Sequence, residues 1–207
     1  MLHAPGLWIA VGYLLGSIPF GLLLSAMNGT DIRTIGSGNI GATNVLRSGN
    51  KGLAAATLIL DAGKGFLAVW LAQRFGGQDW LPTAAGLAAF LGHLFPVWLG
   101  FRGGKGVATI LGVTLGLAWP LGVAALLVWL IAALVTRYSS VGGMLAALVA
   151  PLYVTWLVAT NPVLTMFQAT MPVLIMLWMA AFLLIWKHRE NIERLRAGTE
   201  SRIGQKS

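Results

Sequence analysis

Long apolar segments separated by short polar ones form the main pattern of this chain. A bilayer hydrocarbon core of about 30 Å is crossed by roughly 20 apolar residues in helical form. Five segments approach that length and contain few polar positions, namely residues 7–27, 53–72, 81–99, 141–159 and 164–186. The pattern predicts an all-α polytopic membrane protein.

A further apolar segment, residues 107–135, is too long for one span and is interrupted by Trp119-Pro120. Proline removes a helical hydrogen bond but fits at the start of a helix. We therefore expect two helices that meet near Pro120, the first of which ends near Leu117 and is short enough to be a broken or re-entrant span. The prediction is about seven transmembrane helices in a single domain, residues 1–207.

The basic residues test this helix count. Seven spans place twelve of the 14 Lys and Arg residues on one side of the membrane and Arg74 alone on the other, with Lys64 inside a span. Six spans would leave five basic residues inside and eight outside. Because basic residues concentrate on the cytoplasmic side, the seven-span arrangement is favoured. It puts the N-terminus outside, the C-terminus inside and the polar segments on the cytoplasmic face.

Composition supports a membrane protein and limits its chemistry. Only 10% of the residues are charged and 57% are hydrophobic, whereas a soluble domain carries about 25% charged residues. The net charge of +8 indicates anionic lipid or an anionic substrate as partner rather than nucleic acid. Cysteine is absent, so disulfide and thiol chemistry are excluded. Residues 1–6 lack the basic stretch of a cleavable signal peptide, so we expect the first apolar segment to be retained.

The first polar segment of interest runs from Gly36 to Arg47 with the sequence Gly-Ser-Gly-Asn-Ile-Gly-Ala-Thr-Asn-Val-Leu-Arg. Its glycines let backbone N–H groups face an anion, and Arg47 offers a bidentate donor pair. The segment contains G-x-G-x-x-G, but no strand precedes it, so the dinucleotide-binding motif is a weak match. On its own, a small-residue loop packed between helices explains the segment equally well.

The second polar segment contains Gly92-His93 and then Gly100 to Thr109, where a Gly-Gly-Lys-Gly turn leads into a helix. The N-terminus of that helix favours phosphate, and Lys105 adds a full charge. Gly106 stands where a Walker loop needs Ser or Thr for magnesium. His93 lacks the Asp five residues later that a His-x4-Asp acyltransferase dyad requires, since Trp98 is there. We expect His93 to be structural, as a hydrogen-bonded residue at the membrane interface.

The third polar segment is the tail, residues 187–200, in which Ile192 and Leu195 share a helical face and Gly198 suits a C-terminal cap. A basic tail that only rests on anionic lipid is the simpler interpretation. Within the second apolar segment, Asp61 and Lys64 lie three residues apart on one helical face. Because such residues are costly in lipid, we expect them to neutralise each other rather than to contact substrate.

Together the three segments resemble the motifs of the bacterial membrane-bound acyl-phosphate:glycerol-3-phosphate acyltransferase family. The resemblance covers essentially the whole chain, including the seven-span layout with the N-terminus outside. It implies transfer of a fatty acyl group from acyl phosphate to the sn-1 hydroxyl of glycerol 3-phosphate. The products are lysophosphatidic acid and phosphate, in phospholipid biosynthesis, with no cofactor and no metal. The implied partners are glycerol 3-phosphate, long-chain acyl phosphate and membrane lipid.

The resemblance also implies roles for individual residues. Glycerol 3-phosphate is assigned to Ser37, Arg47, Lys105, His188 and Asn191, with Gly103 and Gly104 in the phosphate-binding turn. Acyl phosphate and its developing oxyanion are assigned to the backbone from Gly38 to Gly41 with Asn39, Thr43 and Asn44. Ser139 is the substrate-binding serine of the fifth loop, with Ser140 as the alternative. Asp61, Lys64, His93 and Glu200 are structural, and either His188 or a substrate phosphate oxygen accepts the proton.

Two other functions compete with acyl transfer. A transporter or channel for a phosphorylated metabolite typically shows repeated halves with charges near the midplane, but this sequence shows no internal repeat and its polar motifs lie on one side. A lipid-binding scaffold would not need a Gly-Gly-Lys-Gly turn. An acyl phosphate is already activated, so positioning and oxyanion stabilisation suffice for catalysis. Those requirements suit a chain with no cysteine and no Ser-His-Asp set.

Overall fold

A computed structural model describes residues 4–160 and 171–204, and this part of the chain is all-helical without strands. The helices are α1 Pro5–Gly16, α2 Phe20–Met27, α3 Ala42–Arg47, α4 Lys51–Phe75, α5 Leu81–Leu94, α6 Val107–Leu117, α7 Trp119–Thr136, α8 Ser139–Thr160, α9 Met171–Lys187 and α10 Arg189–Arg196. Short 3-10 turns cover Ile32–Thr34 and Val97–Leu99. The predicted all-α fold is confirmed.

The apolar segments fold as membrane-length helices. Five stretches are long and apolar enough to cross a bilayer: Pro5–Met27, Lys51–Phe75, Leu81–Leu99, Trp119–Thr136 and Ser139–Thr160. Helices α9 and α10 form a sixth if taken together, with a bend of 53° between them. Residues 164–170 of the last predicted span lie outside the described residues.

The predicted break near Pro120 is confirmed, since α6 ends at Leu117 and α7 begins at Trp119 with proline in its first turn. With 11 residues, α6 is about 16 Å long, roughly half of a bilayer core. Its C-terminal end is satisfied by protein, because the Gln73 amide donates to the Gly116 carbonyl at 3.1 Å. Thus α6 is a short helix enclosed by longer ones.

Small residues fix the position of α6 against α4. A side chain added at Gly65 would overlap the Thr109 carbonyl, and one added at Gly112 would overlap the Ala62 carbonyl. Such close backbone approach is typical of helices packed in membranes. Thr109 lies one helical turn after Lys105, and Gly65 lies one turn after Asp61. The Gly-Gly-Lys-Gly turn is therefore held at the level of the charged pair in α4.

The first span is broken at Ser17–Pro19, between α1 and α2. Backbone carbonyls exposed by the break are satisfied by distant side chains. The Trp98 indole donates to the Ser17 carbonyl at 2.9 Å, and the Lys64 ammonium donates to the Ile18 carbonyl at 2.7 Å. Proline explains the break, since Pro19 cannot continue the α1 hydrogen-bond ladder.

Candidate active site

One cavity of about 770 Å³, measured with its open mouth, brings the three polar segments together. Its lining residues come from the first segment (Ser37, Asn39, Gly41, Ala42, Thr43, Asn44, Arg47), from the second (His93, Lys105, Gly106, Val107, Ala108), from the tail (His188, Asn191, Glu200, Ser201) and from the helices (Leu58, Asp61, Trp129, Ser139, Ser140). Gly38, Gly103, Gly104 and Lys64 are not among the lining residues. Residues far apart in sequence thus share one site.

Asn44 holds the first segment in shape. It is 2% exposed. Its amide donates to the carbonyls of Ile32 at 3.0 Å and Ile35 at 2.9 Å, and its oxygen accepts from the Ser37 N–H at 3.1 Å. Because both amide protons are used, Asn44 has no free donor for a ligand. The structure thus gives Asn44 a role in shaping the loop, while the substrate contact expected of it stays a prediction.

The backbone donors expected in the same segment are also engaged. The N–H of Gly38 donates to the Ile35 carbonyl at 2.9 Å, and the N–H of Gly41 donates to the Asn39 side-chain oxygen at 2.9 Å. These two N–H groups form the hydrogen bonds of the tight turns in the segment. In this conformation the N–H groups of Gly38 and Gly41 are not free to bind an anion, and the substrate contact expected of this segment stays a prediction. Asn39, Gly41 and Thr43 all line the cavity.

The Gly-Gly-Lys-Gly turn is built onto the end of α5. The N–H groups of Gly103 and Gly104 donate to the carbonyls of Leu94 at 3.1 Å and His93 at 3.0 Å. Gly106 has a φ of 85° at the N-cap of α6, a conformation that favours glycine. Lys105 is thereby placed at the cavity wall, just before the N-terminus of α6.

The tail contributes His188 and Asn191 from the bend between α9 and α10. His188 is 3% exposed, and its Nδ1 lies 2.8 Å from the Leu184 carbonyl. A carbonyl oxygen only accepts, so Nδ1 carries the proton and Nε2 is left as an acceptor. The Lys105 ammonium donates to the Asn191 side-chain oxygen. This contact joins the second segment to the third.

Glu200 is the centre of a hydrogen-bond network next to the contact between Lys105 and Asn191. Its carboxylate accepts from the Asn191 amide at 2.6 Å, the Ser140 hydroxyl at 2.8 Å and the Arg194 guanidinium at 2.7 Å. Burial alone would raise the pKa of the Glu200 carboxyl, but these three donors outweigh burial and lower it. These contacts agree with the structural role expected of Glu200.

Two cations at the cavity are left for a ligand. Asp61 pairs with Lys64 at 2.6 Å, and Glu200 pairs with Arg194. Within residues 4–160 and 171–204, no acidic group forms an ion pair with Arg47 or Lys105. Burial, followed by repulsion from Arg194, lowers the pKa of Lys105 to about 8, and burial also lowers the pKa of Arg47. A bound anion would reduce the repulsion that Lys105 experiences from Arg194 and Arg47.

The predicted pairing of Asp61 with Lys64 is confirmed, and the structure adds His93 to it. His93 is 6% exposed, and its Nδ1 lies 3.6 Å from the Asp61 carboxylate. The structural role expected of His93 agrees with this burial beside the charged pair, and its position at the membrane interface stays a prediction. The sequence has Trp98, not an Asp, five residues after His93. In the structure Asp61 of α4 lies beside this histidine instead.

The two serines at the start of α8 have different hydrogen-bond partners. The Ser139 hydroxyl lies 3.0 Å from the Thr43 hydroxyl, facing the first segment, whereas the Ser140 hydroxyl donates to Glu200. Ser139 is therefore the one that can serve a ligand together with Thr43. Among the residues that the structure describes, no group of three or more acidic or histidine side chains is arranged to hold a metal ion.

Comparison with known proteins identifies the family. The family model described as glycerol-3-phosphate acyltransferase matches residues 6–198. The glycerol-3-phosphate acyltransferase of Rhodopseudomonas palustris (strain HaA2) is 54% identical over 205 residues, which cover 97% of this chain and 98% of that protein. The protein of the same name from Ruegeria pomeroyi is 56% identical over 202 residues, covering 97% and 94%. The chain belongs to the glycerol-3-phosphate acyltransferase family.

Crystal structures from the glycerol-3-phosphate acyltransferase family share this fold. PlsY (YgiH), an integral membrane glycerol 3-phosphate acyltransferase, superposes in its glycerol 3-phosphate form with a TM-score of 0.85 at 41% identity, over 97% of this chain and 96% of that one. Its lysophosphatidic acid form gives a TM-score of 0.83 at the same identity, over 97% and 95%. The membrane fold inferred from hydropathy is thus shared with a known acyltransferase.

Several lining residues of this acyltransferase site were missed by sequence analysis. Leu58 and Trp129 line the cavity from apolar spans, and Ser201 lines it from beyond the tail motif. An apolar residue in an apolar helix gives no signal of its own. Arg194 was recognisable only as part of the tail motif, and its pairing with Glu200 appears when the chain turns back after Gly198.

Proposed function

We propose that this chain transfers a fatty acyl group from acyl phosphate to the sn-1 hydroxyl of glycerol 3-phosphate, forming lysophosphatidic acid and phosphate. The observation that carries the proposal is a pair of cations, Arg47 and Lys105, that have no acidic partner among the described residues. They lie in a cavity that is also lined by the apolar residues Leu58, Val107 and Trp129. Charge-assisted hydrogen bonds to phosphate are strongest where water is partly excluded. The glycerol 3-phosphate and lysophosphatidic acid forms of PlsY support the same substrate and product.

Glycerol 3-phosphate is assigned to the part of the cavity between Arg47 and Lys105. Ser37, Asn191 and His188 line the same cavity and would supply a hydroxyl, an amide and, through Nε2, an acceptor. Asn191 is oriented by Glu200, so its side-chain oxygen stays turned toward Lys105. The arrangement fixes a phosphate at one end and leaves an acceptor for a glycerol hydroxyl.

Acyl phosphate is assigned to the neighbouring part, beside Asn39, Thr43 and Ser139. The Asn39 oxygen faces the N–H of Gly41, so its amide protons remain as donors for phosphate or for the developing oxyanion. Attack of the sn-1 oxygen on the acyl carbon forms the ester bond and breaks the carbon–oxygen bond to phosphate. The hydroxyl proton ends on the released phosphate, directly or through Nε2 of His188.

The acyl chain is assigned to an apolar groove of about 360 Å³, measured with its open mouth, that shares Val107 with the polar cavity. Six alanines line it, namely Ala125, Ala146, Ala147, Ala150, Ala180 and Ala181. Their small side chains leave a slot between α6, α7, α8 and α9, and apolar surface favours a hydrocarbon ligand. The proposed path therefore runs from the phosphate site along α6.

We further propose a single domain, residues 1–207, with seven spans, α6 being the short one. The N-terminus lies outside and the C-terminus inside a bacterial inner membrane, with the active site on the cytoplasmic side. The distribution of basic residues supports this orientation. Single cysteines at Ser48 and Ser201 should react only with reagents on the cytoplasmic side, and one at Gln78 only from outside. Labelling of position 201 from outside would overturn the topology.

The catalytic proposal is tested with purified protein, a long-chain acyl phosphate and glycerol 3-phosphate. We expect phosphate release that depends on both substrates, together with lysophosphatidic acid detected by mass spectrometry. The same protein in liposomes tests the competing transporter. Uptake of glycerol 3-phosphate without any phosphate release would favour transport and defeat the enzymatic proposal.

A further inference from the structure

A continuous line of contacts connects the break in the first span to the Gly-Gly-Lys-Gly turn. The Ile18 carbonyl accepts from Lys64 at 2.7 Å, and Lys64 pairs with Asp61 at 2.6 Å. Asp61 lies 3.6 Å from Nδ1 of His93. The other side of the imidazole packs against Gly104. We call Asp61, Lys64 and His93 the buried triad.

His93 contacts the turn in two ways. Its carbonyl accepts the Gly104 N–H at 3.0 Å. Its imidazole also covers Gly104, because a Cβ added there would overlap Nε2, and the three atoms nearest to that Cβ all belong to the His93 ring. The position of this turn is thus set by the ring on which it rests, with Lys105 as the next residue.

Packing alone does not explain these side chains. All three members of the buried triad are at most 6% exposed, and charged groups buried in a span are costly. Replacing a buried ion pair by apolar residues of similar volume is often neutral or stabilising. The triad instead fixes the direction of the imidazole, because Asp61 lies beside Nδ1 while Nε2 lies against Gly104 of the turn.

We propose that the buried triad is a positioning device that sets the place of Lys105 and thereby the affinity for glycerol 3-phosphate. The inference rests on the proposed function, since it concerns one substrate of that reaction. His93 acts through the backbone of Gly104 and is a positioning residue rather than a catalytic one. Displacement of the turn would move the Lys105 ammonium relative to Arg47 and so weaken its charge-assisted contact with the phosphate of glycerol 3-phosphate, a contact worth about 1.5–3 kcal/mol, or roughly 10- to 150-fold in affinity.

A double-mutant cycle at positions 93 and 104 tests this contact. Gly104→Ala should raise the KM for glycerol 3-phosphate roughly 100-fold in the wild-type background, because the added methyl displaces the turn from the imidazole. In the His93→Ala background the same change should raise KM by less than about threefold, since the atoms it would meet are gone. Residues in contact show such non-additivity. Equal effects of Gly104→Ala in both backgrounds would overturn the proposal.

Gly103 provides a matched control in the same turn. A Cβ at Gly103 would meet the backbone carbonyls of His93 and Leu94 and the Pro96 ring, all of which remain when the imidazole is removed. Gly103→Ala should therefore cost the same in the wild-type and His93→Ala proteins. Relief of the Gly103→Ala defect by His93→Ala would mean that the loop had merely loosened, and would also count against the proposal.

The conservative variant His93→Gln separates positioning from general loss of structure. It keeps a polar side chain of similar reach, and we expect a KM for glycerol 3-phosphate between those of wild type and His93→Ala, with kcat and the KM for acyl phosphate within about threefold of wild type. A fall in kcat at unchanged KM would refute the positioning role. Wild-type turnover is measured first, so failure of the proposed function would show there, before any variant.

Discussion

The two buried carboxylates at the active-site cavity are held in opposite ways. Asp61 lies inside a long helix and pairs with Lys64 one turn away, where both side chains are at most 4% exposed. Glu200 lies in the tail and gathers Asn191, Ser140 and Arg194, with Arg194 31% exposed. Asp61 is therefore neutralised within its own helix, whereas Glu200, which is equally buried, ties the start of α8 to α10. The contrast teaches that two buried carboxylates can serve one site by different means, one within a helix and one between elements.

The largest effect is expected for the cations that neither carboxylate neutralises. Arg47→Ala or Lys105→Ala should lower kcat/KM for glycerol 3-phosphate by about 10²- to 10⁴-fold, because each supplies charge to a phosphate in a partly dehydrated site. Phosphate release in the purified variants measures this. Arg33→Ala is the control, since Arg33 is exposed and paired with Asp31 away from the cavity. Near-normal kcat/KM in folded Arg47→Ala protein would reject the assignment.

The contrast between the carboxylates predicts different costs in stability. Asp61→Asn leaves the buried Lys64 ammonium without a counterion and should lower the free energy of unfolding by about 3–5 kcal/mol. Glu200→Gln keeps one accepting oxygen and leaves Arg194, which is 31% exposed, partly solvated, so its cost should be smaller, about 2 kcal/mol for the donor left unpaired. Thermal unfolding of both proteins in the same detergent compares them. Equal losses would show that the exposure of the partner cation does not distinguish the two pairs.

Substitutions at His188 test whether this side chain takes part in proton transfer. His188→Asn keeps hydrogen-bonding capacity but cannot titrate, and we expect it to retain at least about tenfold more kcat than His188→Ala if a phosphate oxygen takes the proton. Steady-state kinetics at saturating substrate, with pH–rate profiles, measure the difference. If both variants lose about 10²- to 10⁴-fold and the acidic limb disappears, His188 is the base.

The smallest effect concerns the charge of Lys105. Its pKa of about 8 means that the ammonium is present below pH 8 and is lost as pH rises through that value. We expect kcat/KM for glycerol 3-phosphate to fall above pH 8, because this ratio reports ionisation of the free enzyme. Lys105→Arg should lack that alkaline decline up to about pH 10, since a guanidinium keeps its charge. An unchanged decline in Lys105→Arg would assign it to another group.

Local patterns could be predicted from the sequence, and contacts between distant elements could not. Pro120 marks a helix start through its own chemistry, and Asp61 meets Lys64 because three residues make nearly one helical turn. The neighbour of His93 depends instead on how α4 packs against α5. The inward orientation of Asn44 depends on two loop carbonyls that no spacing rule brings together.

The family resemblance assembled the correct three segments, yet it could not say which donors were already occupied. The N–H groups of Gly38 and Gly41 fit an anion-binding pattern in sequence, but the turns that they form consume both. Likewise, Ser139 and Ser140 are chemically identical, and only the position of Glu200 separates them. Occupancy of hydrogen bonds is a property of the folded chain.

The short length of α6 has an energetic consequence for a lipid-handling enzyme. Moving a hydrocarbon chain from bilayer to water costs about 0.8 kcal/mol per methylene, or roughly 12 kcal/mol for a sixteen-carbon chain. On the proposed assignment, the short α6 places the polar cavity next to the alanine-lined slot for the acyl chain, since the cavity and the slot share Val107. The chain would then keep apolar surroundings while its carbonyl reacts. Most of the cost of moving the chain into water would be avoided.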